Sequence, residues 1–302
     1  MNRVITLTVL KQLCAYYDIT PSKGKGQHFL IDHHIPAFMC DAGSVVAHDT
    51  VLEIGPGFGV LTDALVHRAG KVIAVEIERV FVDFLEQQYH DQNLRVIHGD
   101  VLALTAQKKH HTNGAQPRHW LRDVVGGDGS YKLIANLPYH ITSFVLRRFL
   151  TETLRPSLCV VMVQKEVAER MTAPPGKMSM LSVMVQYAGV AEIVRVVPRG
   201  AFWPVPKVDS AIVRIIPHAR PPLSSQRETE FFRLARIGFS ARRKQLQHNV
   251  SAGLRIPRAA VKEALAQCSL APTVRAQELS IDQWIAFEYH ITHNTEHGTR
   301  GA

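Results

Sequence analysis

The chain has 302 residues, of which 46% are hydrophobic and 20% are charged, a balance typical of a globular protein with a full core. Its formal net charge of +9 favours a polyanionic partner. No apolar run approaches the length of a membrane span, and the four cysteines lack the spacing of a CxxC pair or a metal site. We therefore expect a cytoplasmic protein, monomeric, without a membrane partner or a bound metal.

The first part of the chain predicts two segments. Residues 1–49 are expected to form a helical, basic segment that closes a cofactor site. From residue 50 to residue 217, short apolar runs alternate with helix-like stretches, which indicates a mostly parallel α/β sheet. The predicted strands are Thr50–Ile54, Lys71–Glu76, Leu94–His98, Tyr131–Ala135, Leu158–Gln164, Glu192–Val197 and Asp209–Ile216. Residues 104–130 show little periodicity and predict a long surface loop.

A glycine-rich loop follows the first predicted strand. Glu53–Gly59 reads Glu-Ile-Gly-Pro-Gly-Phe-Gly and precedes a helix-like run. Glycines let the backbone approach a ligand, and the helix N-terminus faces it. A dinucleotide fingerprint needs its third glycine at position 60, which is Val60, so the spacing argues against NAD and for S-adenosylmethionine. Glu53, Gly55 and Gly57 are the candidate cofactor residues of this loop.

Acidic residues end the next two predicted strands. Glu76 follows the glycine loop by about the number of residues at which nucleotide-binding folds place an acid that binds the ribose hydroxyls. A carboxylate can accept hydrogen bonds from both hydroxyls. Asp100 follows the third strand and can accept from an adenine amine of the cofactor. The same positions also suit an ordinary strand-end acid and a helix N-cap.

The tetrapeptide Asn136-Leu137-Pro138-Tyr139 follows the fourth predicted strand. An adenine amine is a poor nucleophile because its lone pair is delocalised into the ring. Acceptors from the Asn136 side chain and the Pro138 carbonyl can draw its hydrogens out of plane and localise that lone pair. Tyr139 can stack on the base, as enzymes acting on an extracted base require. Asn and Pro are also ordinary turn residues.

The position of these candidates favours the functional interpretation. The glycine loop, Glu76, Asp100 and Asn136 end four successive predicted strands, and doubly wound sheets bind ligands at those carboxyl ends. The sequence therefore predicts a class I S-adenosylmethionine-dependent methyltransferase domain, Rossmann-like, with a seven-stranded mostly parallel sheet.

A proline-rich linker, Pro217–Ser225, leads to a predicted small C-terminal all-α domain at 224–293 and a frayed tail at 294–302. Residues 224–260 contain eight Lys or Arg but only two Glu, so this segment is strongly basic. Residues 233, 236, 240, 243 and 247 recur at three- and four-residue steps, which predicts one polar helical stripe. Beside a base-binding site, such a stripe fits the phosphates of folded RNA. The candidate RNA-binding residues are Lys23, Lys25, Arg233, Arg236, Arg242, Arg243 and Lys244.

Seven short motifs follow one another along the chain. They are Gly26–Leu30, Glu53–Gly57, Asn136–Tyr139, Gln164–Val167, Phe202–Ser210, Phe239–Leu246 and Arg275–Ser280. In this order they resemble the KsgA-type small-subunit (16S) rRNA adenine N6,N6-dimethyltransferases, over nearly the whole chain. The resemblance implies two methyl transfers onto each of two adjacent adenosines in the 3′-terminal hairpin of small-subunit rRNA, and a role in small-subunit biogenesis.

The resemblance also implies roles for individual residues. The positions that match the family's cofactor-binding positions are His28, Leu30, Gly55, Glu76, Asp100 and Asn136. Phe202 would be a second aromatic that sandwiches the target adenine against Tyr139. The family usually has Asn where this chain has His28, and a histidine makes that contact pH-sensitive.

Three alternatives stay open. The first is methylation of adenine in large-subunit rRNA. The second, methylation of DNA or of protein glutamine, usually goes with Pro where this chain has Leu137. The third is a non-catalytic assembly or transcription factor that keeps the fold, against which the intact Glu76, Asp100, Asn136 and Tyr139 argue.

Overall fold

A computed structural model of the chain describes residues 5–21, 27–90, 92–105, 120–126, 129–151 and 154–298. The strands within these ranges are β1 (Phe29–Leu30), β2 (Thr50–Ile54), β3 (Lys71–Glu76), β4 (Leu94–His98), β5 (Lys132–Asn136), β6 (Leu158–Gln164), β7 (Gly189–Val197), β8 (Phe202–Trp203) and β9 (Ser210–Pro217).

The strands form a seven-stranded sheet in the order β4-β3-β2-β5-β6-β9-β7, and β1 pairs with β8 in a separate two-stranded sheet. The neighbouring strands β4, β3, β2, β5 and β6 all pair in parallel, whereas β9 lies antiparallel to β6. The sheet is the mostly parallel class I methyltransferase sheet expected from the sequence. The bounds of β2, β3, β4 and β6 are those predicted, because each has apolar residues at its centre and is flanked by polar or turn residues.

The helices are α1 (Leu7–Tyr16), α2 (His34–Ala42), α3 (Val60–Val66), α4 (Arg79–Gln88), α5 (Val101–Thr105), α6 (Trp120–Val125), α7 (Thr142–Thr151), α8 (Lys165–Met171), α9 (Met180–Ala188), α10 (Ser225–Gly238), α11 (Leu246–Leu254), α12 (Arg258–Gln267) and α13 (Ile281–Gly298). No helix in the described ranges combines the length and apolarity that crossing a membrane requires.

The chain divides into two compact units. The first, Met1–Ala168 with Val190–Pro217, contains the seven-stranded sheet. The described part of the segment predicted at 1–49 packs into this unit, because Leu10 of α1 and Met39 of α2 are completely buried in its core.

The second unit consists of Glu169–Gly189 and His218–Ala302. Its C-terminal part begins where the linker was predicted. The prediction that the α/β domain includes every residue from 50 to 217 was wrong for Glu169–Gly189, which belong to the second unit. The reason is the packing of α9, whose Tyr187 ring stacks on Phe231 of α10 at 4.7 Å between centroids. Both rings are buried in the core of the helical unit.

The predicted single basic stripe is also wrong, because α10 and α11 are separate helices. The carboxamide of Asn249 donates to the carbonyls of Gly238 and Ala241 and thereby stabilises the turn between them. Gln247, expected on the exposed stripe, is buried and donates to the Pro272 carbonyl. Gly238 also has to be a glycine, since a Cβ there would lie 2.5 Å from Trp284.

Two smaller corrections concern loops. Part of the predicted loop 104–130 is α6, because Leu121, Val124 and Val125 form a buried helical face; residues 106–119, 127 and 128 lie outside the described ranges. The predicted frayed tail is helical as far as Gly298, where α13 ends.

Candidate active site

A cavity of about 420 Å³ lies at the carboxyl ends of β2, β3, β4 and β5, which are neighbours in the sheet. Such a volume is within the usual range for a small-molecule site. Each of the four strand ends contributes lining residues, so the sequence-predicted convergence is present in the structure. The predicted cofactor residues that line it are His28, Leu30, Glu53, Gly55, Gly57, Glu76, Asp100 and Asn136.

The glycine loop between β2 and α3 adopts a backbone that favours glycine. Gly55, Gly57 and Gly59 have φ angles of +68°, +55° and +82°, in the left-handed region. At Gly59, which is the N-cap of α3, a Cβ would in addition lie 2.8 Å from a Leu85 methyl carbon. Gly55 and Gly57 line the cavity, so the backbone of this loop can approach a ligand closely.

Glu76, the last residue of β3, is held by the backbone around it. Its Oε2 accepts from the Gly57 N–H at 3.1 Å, and its Oε1 accepts from the N–H groups of Ile77 at 2.8 Å and Glu78 at 3.0 Å. Burial raises the pKa of Glu76, while these hydrogen bonds oppose the rise. The carboxylate is thus fixed in one orientation at the cavity wall.

Glu53, the fourth residue of β2, is more deeply buried, with 1% of its surface exposed. Burial raises the pKa of Glu53 to about 8, the hydrogen bond from the Thr62 hydroxyl (2.7 Å) lowers it, and the nearby charge of Glu76 raises it. A carboxyl in this environment is predominantly protonated at neutral pH, so Glu53 contributes a neutral polar group to the cavity.

Replacing Glu53 by glutamine is expected to alter how stability depends on pH. Between pH 4.5 and about 8 the unfolded chain is ionised at this residue while the folded carboxyl keeps its proton, so wild-type stability falls as pH rises. A pKa difference of one is worth about 1.4 kcal/mol, which makes the loss on the order of 5 kcal/mol. Urea unfolding at pH 5.5 and pH 8 measures the part of this loss that falls between those two pH values, about 3 kcal/mol.

The difference between the two pH values should be smaller for Glu53→Gln, because glutamine does not ionise. Glu86→Gln, a change of an exposed residue of α4, is the matched control and should keep the wild-type difference. If the stability of Glu53→Gln depended on pH as that of the wild type does, the raised pKa of Glu53 would be contradicted.

Asp100 shows both of the properties considered from the sequence. Its Oδ1 accepts from the Leu102 N–H at 2.8 Å at the start of α5, as an N-cap does. The residue is exposed and lines the cavity. A carboxylate has a second oxygen, so the cap leaves acceptor capacity for a ligand amine.

Asn136 ends β5 opposite Met162 of β6. It lines the cavity, and its carboxamide makes no hydrogen bond within the ranges the structure describes. The strand pairing continues through the Leu137 N–H, which donates to the Met162 carbonyl at 3.1 Å. The backbone is therefore fixed while the Asn136 amide stays available to a ligand.

The carbonyl of Pro138 is not available in the way the sequence suggested. It accepts from the Ile141 N–H at 3.2 Å and from the Thr142 hydroxyl at 3.3 Å, where the chain begins to wind into α7. A carbonyl has two lone pairs, so these bonds use its capacity. Leu137 also lines the cavity, and its carbonyl accepts no hydrogen bond from a described residue.

The Tyr139 ring lies next to the His28 ring, with centroids 5.8 Å apart and planes inclined by 29°. The Tyr139 hydroxyl is 2.9 Å from the Ser210 hydroxyl, and burial raises the pKa of Tyr139. His28 Nδ1 is 2.7 Å from the Pro204 carbonyl oxygen; since a carbonyl only accepts, Nδ1 carries the hydrogen. Both rings are thus held by the segment that leads into β9.

Phe202 does not take the position expected of it. Its side chain is 1% exposed, belongs to the core of the first unit and does not line the cavity. The cause is the pairing of β8 with β1, in which Phe202 lies opposite the buried Leu30. In this structure the ring beside Tyr139 is His28, so the predicted Tyr139–Phe202 sandwich is absent.

Other cavity residues were missed by the sequence reasoning. Ile77 and His140 line the cavity and are exposed. Ile77 directly follows Glu76, so the strand-end argument that identified the acid could have included it. Ser210 and Pro204 are connected to the site only through the folded structure, and no local pattern marks them.

The predicted RNA-binding residues of the helical unit are exposed. Arg233 pairs with Glu230 at 3.0 Å. Arg236, Arg242, Arg243 and Lys244 make no ion pair with any residue in the described ranges. The last three lie in the turn between α10 and α11 rather than on a helix. Lys23 and Lys25 lie outside the described residues.

Comparisons with known proteins agree over most of the chain. The sequence model of a family described as "Ribosomal RNA adenine dimethylase" matches residues 22–292. A protein of Dehalococcoides mccartyi named "Ribosomal RNA small subunit methyltransferase A" is 40% identical over 282 residues, 92% of each chain. One of the same name from Halothermothrix orenii is 38% identical over 289 residues, 94% of this chain and 92% of that one.

Two solved structures are similar along the chain. A dimethyladenosine transferase from Plasmodium falciparum gives a TM-score of 0.68 at 26% identity, covering 89% of this chain and 98% of that one. The 23S rRNA methyltransferase ErmE gives a TM-score of 0.66 at 26% identity, covering 87% of this chain and 99% of that one.

Proposed function

Because the chain belongs to the ribosomal RNA adenine dimethylase family, we propose that it dimethylates N6 of two adjacent adenosines in the 3′-terminal hairpin of small-subunit rRNA. It is an S-adenosylmethionine-dependent methyltransferase. The observation that carries the proposal is the Asn136 amide, which bonds to none of the described residues and lies on the same cavity as Glu76 and Asp100. One cavity thereby offers groups for a methyl donor and groups for an adenine.

The residues of the cavity fit S-adenosylmethionine. The buried Glu76 carboxylate suits the ribose hydroxyls, and the exposed Asp100 suits the adenine amine, in line with the chemistry of each group. The backbone of Gly55 and Gly57 leaves room for the amino-acid end, with His28 and Leu30 on the same wall. When bound, the cofactor supplies an electrophilic methyl group on a sulfonium.

The groups on the other side of the cavity act on the target base. The Asn136 side-chain oxygen accepts from the target amine, and the unused Leu137 carbonyl replaces that of Pro138 as the second acceptor. These bonds localise the nitrogen lone pair, and Tyr139 stacks on the base. The attacking nitrogen becomes cationic and then loses its proton to water, so catalysis comes mainly from positioning.

The helical unit is proposed to bind the RNA backbone. Arg236, Arg242, Arg243 and Lys244 are exposed cations without an ion pair in the described ranges, and phosphate contacts position a folded RNA without reading its sequence. Arg233 remains a proposed part of this surface, and Lys23 and Lys25 of the first unit remain proposed RNA-binding residues. We further propose that the protein acts in the cytoplasm as a monomer on the immature small subunit.

Mass spectrometry of rRNA from cells lacking the gene tests this function. We expect dimethyladenosine to disappear from the 3′-terminal hairpin of small-subunit rRNA and to return when the wild-type gene is supplied. Purified protein should transfer tritiated methyl groups to small-subunit rRNA from those cells. Loss of methyladenosine from large-subunit rRNA instead would favour the branch to which ErmE belongs.

A further inference from the structure

The outward face of helix α7 carries an exposed aromatic residue and an exposed arginine. Val145 and Leu146 are completely buried, whereas Phe144 is 62% exposed. Arg147, three residues later, is exposed, and its guanidinium has no ion pair within the described ranges. Residues three apart on a helix are neighbours on its surface. Phe144 and Arg147 therefore present an aromatic ring and a free cation side by side.

This face adjoins the cavity. The helical winding begins before the first residue of α7, since the Ile141 N–H donates to the Pro138 carbonyl and the Val145 N–H to the Ile141 carbonyl. His140 and Ile141 line the cavity. Phe144 follows Ile141 by three residues, about one helical turn. Phe144 thus follows the cavity-lining residues by about one helical turn.

A single exposed apolar side chain is common and by itself indicates nothing. What distinguishes Phe144 is its combination with an arginine that pairs with none of the described residues, and its place one turn from the cavity that is proposed to bind the base. Aromatic rings bind unpaired bases of any sequence by stacking, and arginines bind phosphates. An enzyme that takes a base out of the RNA leaves the neighbouring base without its stacking partner.

We propose that Phe144 and Arg147 bind the RNA nucleotide next to the target adenosine. Phe144 stacks on the neighbouring unpaired base, and Arg147 pairs with its phosphate. The inference rests on the proposed function and adds a second base-binding position to it. Phe144 and Arg147 are positioning residues, because they hold the RNA and do not touch the reacting nitrogen.

Kinetics of the full-length protein on small-subunit rRNA test this proposal. Phe144→Ala should lower kcat/KM about tenfold, mainly through KM, in keeping with the loss of one stacked base. Phe144→Tyr should retain the wild-type value, since it keeps the ring. The matched control is Tyr16→Ala, which removes an 81% exposed ring from α1 and should have no effect. The affinity for S-adenosylmethionine should stay within twofold in all variants.

Arg147→Ala has a separate signature. RNA binding should weaken, and the dependence of log affinity on log salt should become less steep by about one, because one phosphate contact is lost. Arg95→Ala, which removes an exposed arginine of β4, should leave that slope unchanged.

The possible outcomes separate the two proposals. If the wild-type protein methylates neither free small-subunit rRNA nor the immature small subunit, the proposed function fails. If the wild type is active and Phe144→Ala behaves like Tyr16→Ala, the present inference is overturned. A loss seen only on protein-containing subunits, with full activity on free rRNA, would also overturn it, since α7 would then bind a ribosomal protein.

Discussion

Asn136→Ala is expected to lower kcat for adenosine methylation by about 10³-fold, the upper range for removing one preorganised polar group from a transition state. Asn136 ends β5, whose pairing with β6 fixes its backbone, while its amide is not engaged by any described residue. We therefore expect the amide oxygen to polarise the target amine without having to leave a hydrogen-bond partner among the described residues. Alanine removes this acceptor and leaves the strand intact.

Single-turnover transfer of a tritiated methyl group to small-subunit rRNA measures this change. RNA binding should stay within threefold of wild type, and calorimetry should show that S-adenosylmethionine still binds. Asn136→Asp is the companion variant: it keeps acceptor oxygens in nearly the same shape and should retain more activity than alanine. Equal methylation by Asn136→Ala and wild type would remove Asn136 from the mechanism.

Glu76→Ala is expected to weaken binding of S-adenosylmethionine by about 100-fold, which corresponds to roughly 2.7 kcal/mol and is typical of truncating a buried hydrogen-bonded charge. The carboxylate accepts from three backbone N–H groups and is oriented by them. Its removal takes away the proposed acceptor for the ribose hydroxyls and also leaves those three donors without the Glu76 carboxylate.

Calorimetry with S-adenosylmethionine at fixed pH measures the loss. Glu76→Gln should fall between alanine and wild type, because it keeps one acceptor oxygen and the side-chain volume. Glu86→Gln on α4 removes the same charge from an exposed position and should bind like wild type. A Glu76→Ala protein that binds the cofactor with wild-type affinity would show that another residue holds the ribose.

The sheet and the cofactor side of the cavity could be predicted because they depend on local sequence. An apolar run of five to seven residues defines a buried strand, and in a parallel sheet the residue at its carboxyl end faces the ligand edge. Glu76 and Asn136 were found in this way. Ile77, a lining residue that was not predicted, directly follows Glu76 at the end of β3.

The errors concern features that depend on contacts distant in sequence. Phe202 is buried because it pairs with Leu30, some 170 residues earlier, and a pattern around Phe202 alone cannot show which way its ring points. The basic stripe is interrupted by the turn between α10 and α11, which Asn249 stabilises by donating to the carbonyls of Gly238 and Ala241. The Pro138 carbonyl is not available to the target amine because it accepts a hydrogen bond from the Ile141 N–H, just before α7.

The helical unit is discontinuous in sequence, because Glu169–Gly189 belongs to it together with the chain from His218 onward. A fragment that began at His218 would lack Tyr187, on which Phe231 stacks in the core. We therefore expect a chimera that exchanged only the chain from His218 onward between relatives to combine two parts of one core from different proteins. An exchange of the whole helical unit would have to include both stretches.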